Sequence, residues 1–400
     1  MHAVNVVLRL DDRDKRLVAA PTRVAAIRVF ESLAEAEAPW RELERGDVLA
    51  TPYQRFEWLS LWQADIGLRH GVAPFIVTGL DPAGKPLFLL PLGLRSKGPV
   101  VVASFLGGKH TNLNMGLWRR EFAQTVTDIE LHAILALFAD SGRVDLLALL
   151  NQPEQWNGVA NPFALFPHQH SAEDNHLLKL GQSGEEVLAR LFSAAARGKL
   201  RTKERKLARL PGYRYTRATT PADVDRYLTA FFAQKAARLR ALGLPNVFAQ
   251  PCVEAFIRAG CNNGIASGQP LFEIHVLEAD GEVLALFAGV QDGRRFCSMF
   301  NSYTLGENAR WSPGTLLLLH LVADCADRGL ESFDLGLGKA DYKALFCKET
   351  EVLFDSFVPL TRLGRAAALA TRSAFAIKGR IKASPRLWPL VQAARRRLAR

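Results

Sequence analysis

One order of elements runs twice through the chain, and that repetition constrains the fold more than any single motif. In the first half, TRVAAIRVFESL (22–33) is apolar and β-branched and reads as a strand. Helices are expected over 35–45 and 53–66, the second with Phe56, Leu59 and Trp62 at helical spacing. Strands follow at 73–80, 86–94 and 99–106, the first two joined by the turn signal DPAG. A helix over 121–140 and a buried strand over 144–150 close the half. The second half begins with a short strand at 213–218 and a helix at 221–243, started by Pro221 and ended by Gly243. Another helix reads over 251–262, then strands at 271–278, 282–291 and 294–303 with ADGE and DGRR as hairpin turns. A helix over 312–329 and a strand over 331–336 complete the order, and a short helix (340–347) and a strand (351–360) extend it. Each half reads β-α-α-β-β-β-α-β, which is duplication of a domain rather than a solenoid. The fold class is α/β with mixed sheets. The expected domains are 20–180 and 181–360, followed by a tail over 361–400.

The tail is set apart by charge. The net charge is +11, yet 356–400 holds no Asp or Glu and eleven Lys or Arg, so residues 1–355 sum to zero. The body is therefore not a general nucleic-acid binder, and no DNA partner is expected. Residues 362–383 and 386–398 can each form a basic helix, broken at Ser384-Pro385. Leu363, Ala366, Ala370, Ala374 and Ile377 give the first a weak apolar stripe, and Leu387 and Trp388 add to the second. Such helices suit an anionic membrane surface, at ~1 kcal/mol per basic residue near the lipid; the alternative is a disordered or self-packed basic tail. No apolar run approaches the ~18 residues of a membrane span. The charged start MHAVNVVLRLDDRDKR is no signal peptide, so the expected location is the cytoplasm, with peripheral contact at the inner face of the membrane through the tail. Five cysteines without a CxxC, all in the second half, read as small buried residues. His168, His170 and His176 lack ligand spacing, and no metal is expected.

Three stretches can carry chemistry. The strand-to-helix junction NSYTLGENARWSPGTLLLLH (301–320) places Ser312, Pro313, Gly314 and Thr315 at a helix start. Free N–H groups there attract anions, and the same residues also serve as a plain cap for a core helix. The stretch FDLGLGKADYKALF (333–346) is not a dinucleotide fingerprint, because the sixth position of the pattern is Asp341. Gly336 and Gly338 fit a tight corner, with Tyr342 and Lys343 beside it; Lys343 reads either as a point charge for a phosphate or as a surface lysine. The third stretch is helix 221–243 with Lys235, Arg238 and Arg240, preceded by RGKLRTKERKLARL (197–210). That run is either a solvated face or the rim of a site for an anion.

The order of elements resembles the GNAT acyltransferase fold, whose three meandering strands, helix and fifth strand form an acyl-CoA site. The basic segment 197–207, FFAQKAARLRALGLPNVFA, the hairpin GEVLALFAG, RWSPGTLLLLHLV and FDLGLGKADYKALF together resemble the CelD-type acetyltransferases of cellulose and exopolysaccharide biosynthesis. The resemblance spans roughly 50–360, most strongly 190–350. It implies two GNAT-like domains, the first degenerate, similar to the Fem-type aminoacyltransferases. It implies that acetyl-CoA or another acyl-CoA binds at Ser312, Gly314 and Thr315. It also implies substrate contacts at Lys235, Arg238, Lys343, Gly336 and Gly338, the Lys and Arg by analogy with a diphosphate clamp. The Gln/Arg-x-x-Gly-x-Gly/Ala pyrophosphate loop is absent, and the family's acid after the second glycine is Lys339 here.

Acyl transfer from a thioester needs a base and a held oxyanion. Glu273 and His275, alternate residues on one strand face, are candidate bases. Asp334 as base and Tyr342 as acid to the departing thiolate are the alternatives. The expected acceptor is an amine or hydroxyl on a small molecule or a lipid- or sugar-linked precursor. Two further readings stay open: a Fem-type aminoacyl transferase with a charged tRNA as partner, and a non-catalytic scaffold in a polysaccharide synthesis complex.

Overall fold

The structure, a computed structural model, describes residues 6–9 and 23–384 apart from Ser141 and Lys339. The first stretch runs β1 (Val6–Arg9), β2 (Ala26–Phe30), α1 (Leu33–Arg45), β3 (Val48–Leu49), α2 (Phe56–Trp62), β4 (Ala73–Leu80), β5 (Pro86–Lys97) and β6 (Val100–Phe105). It continues with β7 (Leu117–Arg119), α3 (Arg120–Thr125), α4 (Asp128–Asp140), β8 (Leu146–Pro153), β9 (Gln155–Trp156), β10 (Val159–Ala160) and β11 (Gln169–His170). Then come β12 (Asn175–Lys179), α5 (Gly184–Leu191), α6 (Ala194–Leu207), β13 (Arg214–Arg217), α7 (Pro221–Ala241) and α8 (Pro251–Asn262). The sheet of the second half follows with β14 (Glu273–Ala279), β15 (Glu282–Gln291), β16 (Arg295–Tyr303), α9 (Pro313–Asp327), β17 (Ser332–Leu337), α10 (Asp341–Phe346) and β18 (Glu349–Glu351). β19 (Leu353–Pro359) and α11 (Arg362–Ala383) end the described chain.

Two compact units result, one from the stretch ending at Glu173 together with Val352–Ala383, the other built on Asp174–Glu351. The first sheet has the order β1-β2-β4-β5-β6-β8-β19-β11, and the second β13-β14-β15-β16-β17-β12-β18. Each contains one parallel pair. In the first, β6 pairs with β8 at Val102↔Leu146 and Ala103↔Leu147. In the second, β16 pairs with β17 from Arg295↔Ser332 to Cys297↔Asp334. The fifth strand of each repeat is then flanked by an antiparallel strand from elsewhere in the chain: β8 by β19 and β17 by β12. The expected strand 351–360 is therefore two strands. β18 stays with the second unit and β19 joins the first, so the expected boundaries at 180 and 360 give way to this exchange.

The basic segment 362–383 is a helix, and it is not a separate tail. α11 packs on β19, with Ala368 buried and Phe375 against Phe357 at 5.6 Å. Thr361 Oγ1 donates to Asp145 Oδ1 at 2.6 Å, and Gly364 lies so close to Asp145 O that a Cβ there would stand 1.7 Å from it. The expected second basic helix, 386–398, lies outside the described residues. Other differences are local. The helix expected over 121–140 breaks at Val126-Thr127, and the strand expected over 22–33 is β2 at Ala26–Phe30, its end cut short by α1, where Ser32 caps Glu35 N–H.

The second unit's core forms between α9 and the sheet. Leu316, Leu317, Leu318, Leu321 and Val322 bury against Leu277, Leu284, Phe296 and Phe333. Each such leucine contributes about 1.5–3 kcal/mol relative to exposure. That burial fixes α9, and with it the position of its first turn.

Candidate active site

β16 and β17 pair over only three residues and then part. Between Ala288↔Phe300 and Gly289↔Ser298 the β15–β16 register shifts, so Met299 is an extra residue that bends β16. β16 ends at Tyr303, and after one helical turn at Glu307–Trp311 the chain enters α9 at Pro313. A strand that diverges from its parallel neighbour leaves backbone groups facing a wedge, and a helix start beside it adds a partial positive charge.

Side chains from three elements meet at the wedge. Lys235, on α7, donates through Nζ to Asn301 O at 2.9 Å and lies over the Phe248 ring at 5.2 Å. Burial, and then the neighbouring Arg238, push the Lys235 ammonium down to about 8. Arg238 lies over the Tyr303 ring at 4.4 Å. Asn301 Nδ2 donates to Tyr342 Oη at 3.3 Å. Burial raises the Tyr342 phenol, opposed by that hydrogen bond. Lys235, Arg238 and Tyr342, expected as site residues, are thus brought together. Asn301 and Tyr303 join them, though in sequence they read as ordinary strand positions.

The start of α9 is a second component. Ser312 has φ +57, and its side chain caps no N–H. Instead Lys203 Nζ, from α6, donates to Ser312 Oγ at 2.8 Å. Thr315 and Leu316 N–H return to Ser312 O at 3.0 and 3.2 Å. Pro313 has no N–H, so Gly314 N–H, Ser312 Oγ and Lys203 are what this helix start offers an anion. A Cβ at Gly314 would meet Tyr303 Cδ1 at 3.4 Å, an ordinary contact. Thr315, expected with them, is held by its own helix turn.

The other expected residues serve the framework. Lys343 is buried, and its Nζ donates to Gly336 O at 3.2 Å and Leu337 O at 2.6 Å. It pins the corner rather than facing a ligand. Gly336 and Gly338 have φ +73 and +84, which only glycine adopts without strain. Asp334 is fully buried, accepts from Asn175 Nδ2 at 2.9 Å and from Gly336 N–H, and is pushed by burial to about 6. Lys339 lies outside the described residues.

Glu273 and His275 are not in the wedge. Arg328 holds Glu273 through two bonds of 2.8 and 2.9 Å, and His275 Nε2 lies 3.2 Å from Glu273 Oε2. Tyr215 O–H donates to His275 Nδ1 at 2.7 Å, and Phe296 closes the pocket edge-on. Burial alone would raise Glu273, but the bonds from His275 and Arg328 hold it at about 2; burial lowers His275. A carboxylate so tightly paired is a poor base, and the expectation of these two as bases is corrected by their burial. Among the described residues no group of His, Cys, Asp or Glu is placed to hold a metal, and no helix is long and apolar enough to cross a membrane.

Residues 194–344 match the family model of the acetyltransferase (GNAT) domain. The match lies within the second unit, and the first unit repeats that unit's order of five strands with one parallel pair. Among solved structures it is similar to FemX, at 9% identity and a TM-score of 0.53, covering 82% of this chain and 96% of that one. L-PGS from Bacillus licheniformis aligns at 13% identity over 85% and 96% of the two chains with a TM-score of 0.46. A tandem GNAT protein from the clavulanic acid biosynthesis pathway aligns at 10% identity over 78% and 98%, with a TM-score of 0.38. No curated protein matches the sequence. The GNAT match contains the wedge, α9 and the helix-borne cations, and it begins at α6, the helix that supplies Lys203.

Proposed function

We propose that the second unit transfers an acyl group from a coenzyme A thioester to an amine or hydroxyl. The observation that carries this reading is the parting of β16 from β17 beside the start of α9, with Lys235, Asn301 and Tyr342 joined at the opening. In this reading the donor's diphosphate lies against Gly314 N–H, Ser312 Oγ and Lys203, and Arg238 adds a second cation. The acceptor attacks the thioester carbonyl and loses its proton to Lys235, whose lowered value leaves a fraction of neutral amine near neutral pH. The carbon–sulfur bond breaks, and Tyr342 gives its proton to the thiolate. Because Tyr342 accepts from Asn301, its own O–H is left to point at the sulfur.

Calorimetric titration of acetyl-CoA and a long-chain acyl-CoA into the full chain tests this. We expect binding in the micromolar range, retained in Gly314→Ala and lost in Gly314→Glu, which puts a carboxylate at the anion position. If neither thioester binds, the reading fails. The CelD-type resemblance favours a cell-envelope or polysaccharide precursor as acceptor. Peripheral contact with an anionic membrane belongs to the same proposal, since Leu363, Leu369 and Ile377 of α11 are exposed among basic residues.

A second reading is aminoacyl transfer from a charged tRNA. It draws on the extent of the likeness to FemX, nearly all of whose chain is covered. Salt-sensitive tRNA binding without thioester binding would favour it. Binding of neither would leave the non-catalytic scaffold.

A further inference from the structure

Helix α6 carries six basic residues from Arg197 to Lys206, and the start of α9 uses one of them, Lys203. Two others face a second opening in the same unit. Between α5, α6 and α9 lies a cavity of about 250 Å³. Its apolar wall is Leu188, Phe192, Leu316 and Leu319, and its polar edge is Arg197 and Arg201, one helical turn apart. Arg201 and Glu204 also line a more open groove along α6 that reaches Arg205 and Tyr213, so the two openings share these residues.

Two acids line this site beside the two arginines, and His320, with a smaller contribution from Arg201, holds the Glu204 carboxyl below its ordinary range. Glu204 also lines it, but it is occupied: it accepts from His320 Nε2 at 2.6 Å and from Tyr213 O–H at 3.0 Å. Glu185 stands in the first turn of α5, exposed to solvent and satisfied by that helix's N-terminal charge. Arg197 and Arg201 form no ion pair among the described residues. Arg197 Nε is buried and has no acceptor there, which is costly for a donor on a cation. Arg197 sits against an apolar wall, so the missing acceptor belongs to something that carries hydrocarbon as well as charge. The chain's own last stretch, 385–400, is the wrong occupant by charge, with five arginines and no acid.

We propose that this cavity is a binding site for a small anionic amphiphile. Its phosphate or carboxylate lies between Arg197 and Arg201, and its alkyl chain lies on Leu188, Phe192, Leu316 and Leu319. The lining differs from the groups assigned to the thioester, though both lie on α6 and α9: Leu316, in the apolar wall, returns its N–H to Ser312 O.

The test is calorimetric titration of octyl phosphate and of octanoate into the full chain, beside octyl glucoside and inorganic phosphate. The expected result is saturable binding of the two alkyl anions, clearly tighter than either control. Arg197→Gln and Arg201→Gln should each weaken it about tenfold or more, since a charge-assisted bond is lost. Lys199→Gln and Lys206→Gln, exposed positions of the same helix outside the cavity lining, should bind as the unaltered chain does. Arg197→Lys, which keeps the charge and removes Nε, stands in if the glutamine variant does not fold. Equal binding of octyl glucoside would reduce the site to an apolar hollow. Equal binding of inorganic phosphate, or equal losses in the lysine variants, would reduce it to diffuse charge. Absence of binding by both alkyl anions at millimolar concentration would overturn the proposal.

Discussion

The two parallel strand pairs show what separates a sheet from a site. In the first unit β6 and β8 pair and part as β16 and β17 do, but the chain after β6 turns back over the opening. Gly107 and Gly108, at φ +92 and +55, start a loop whose Leu113, Asn114 and Met115 are buried. Asn114 N–H donates to Asn151 O and its Nδ2 to Leu150 O, at the end of β8. Thr51 and Gln54 reach Leu113 O from the other side. The next long helix, α4, begins only at Asp128. In the second unit the connection is short, α9 starts at Pro313, and charged and polar side chains stand where the first unit has a packed loop. One architecture supports both outcomes, and the length of the strand-to-helix connection decides between them.

The largest effect we expect concerns the framework of the second unit. Arg328→Met leaves Glu273 buried with only His275 beside it and no guanidinium, which costs about 3–5 kcal/mol. Denaturant unfolding measures that loss, while kcat per folded molecule should stay near its original value. A collapse of kcat in a variant that remains folded would return Glu273 and His275 to the chemistry.

Next is the wedge itself. Lys235→Met should lower kcat/KM about 100-fold, a loss of general-base help. In the unaltered chain kcat/KM should rise with pH through about 8, as Lys235 loses its proton, and this limb should vanish in the variant. Stability has the matching sign. The folded chain binds fewer protons than the unfolded one between about 8 and the ordinary lysine value near ~10.4, so stability increases with pH across that window. A pH profile unchanged by the substitution would remove Lys235 from proton transfer.

The first unit supplies the contrast. Asn114→Ala removes a side-chain bond to Leu150 O in a buried setting, at a cost of about 2 kcal/mol. Thermal unfolding should register it, and acyl transfer should not. If turnover falls with stability intact, the first unit takes part in the reaction and the comparison breaks.

Much of this was legible in sequence because it is local. The expected helix over 251–262 coincides with α8, and the five-strand order of each half follows from alternation and turn chemistry. The exchange of β12 and β19 was not legible, because a strand's pattern reports that one face is buried and not which sheet buries it. The same holds within the wedge. Met299 inserts an extra residue, so the alternation that should place Asn301 is broken by a bulge. Lys203 meets Ser312 across 109 residues. In sequence Lys343 reads either as a point charge for a phosphate or as a surface lysine, yet the corner turns Gly336 O and Leu337 O inward and the buried lysine follows them.

The smallest effect separates two accounts of Tyr342. If it donates the proton to the departing thiolate, Tyr342→Phe should slow kcat only about tenfold. A thiol has a pKa near ~8.5, so its thiolate leaves readily and needs little acid help. Tyr342 Oη accepts from Asn301, so its own proton is not used in that bond, and the ring remains packed on the second unit's core in the variant. KM for the thioester should therefore hold while kcat falls, and the deficit should shrink for a donor whose thiol is more acidic. A purely structural Tyr342 would show the same deficit with every leaving group. That dependence sharpens the comparison of the two units to one hydroxyl: in the first unit the loop is anchored through Asn114, and the tyrosine that accepts from its Asn112, Tyr53, is fully buried.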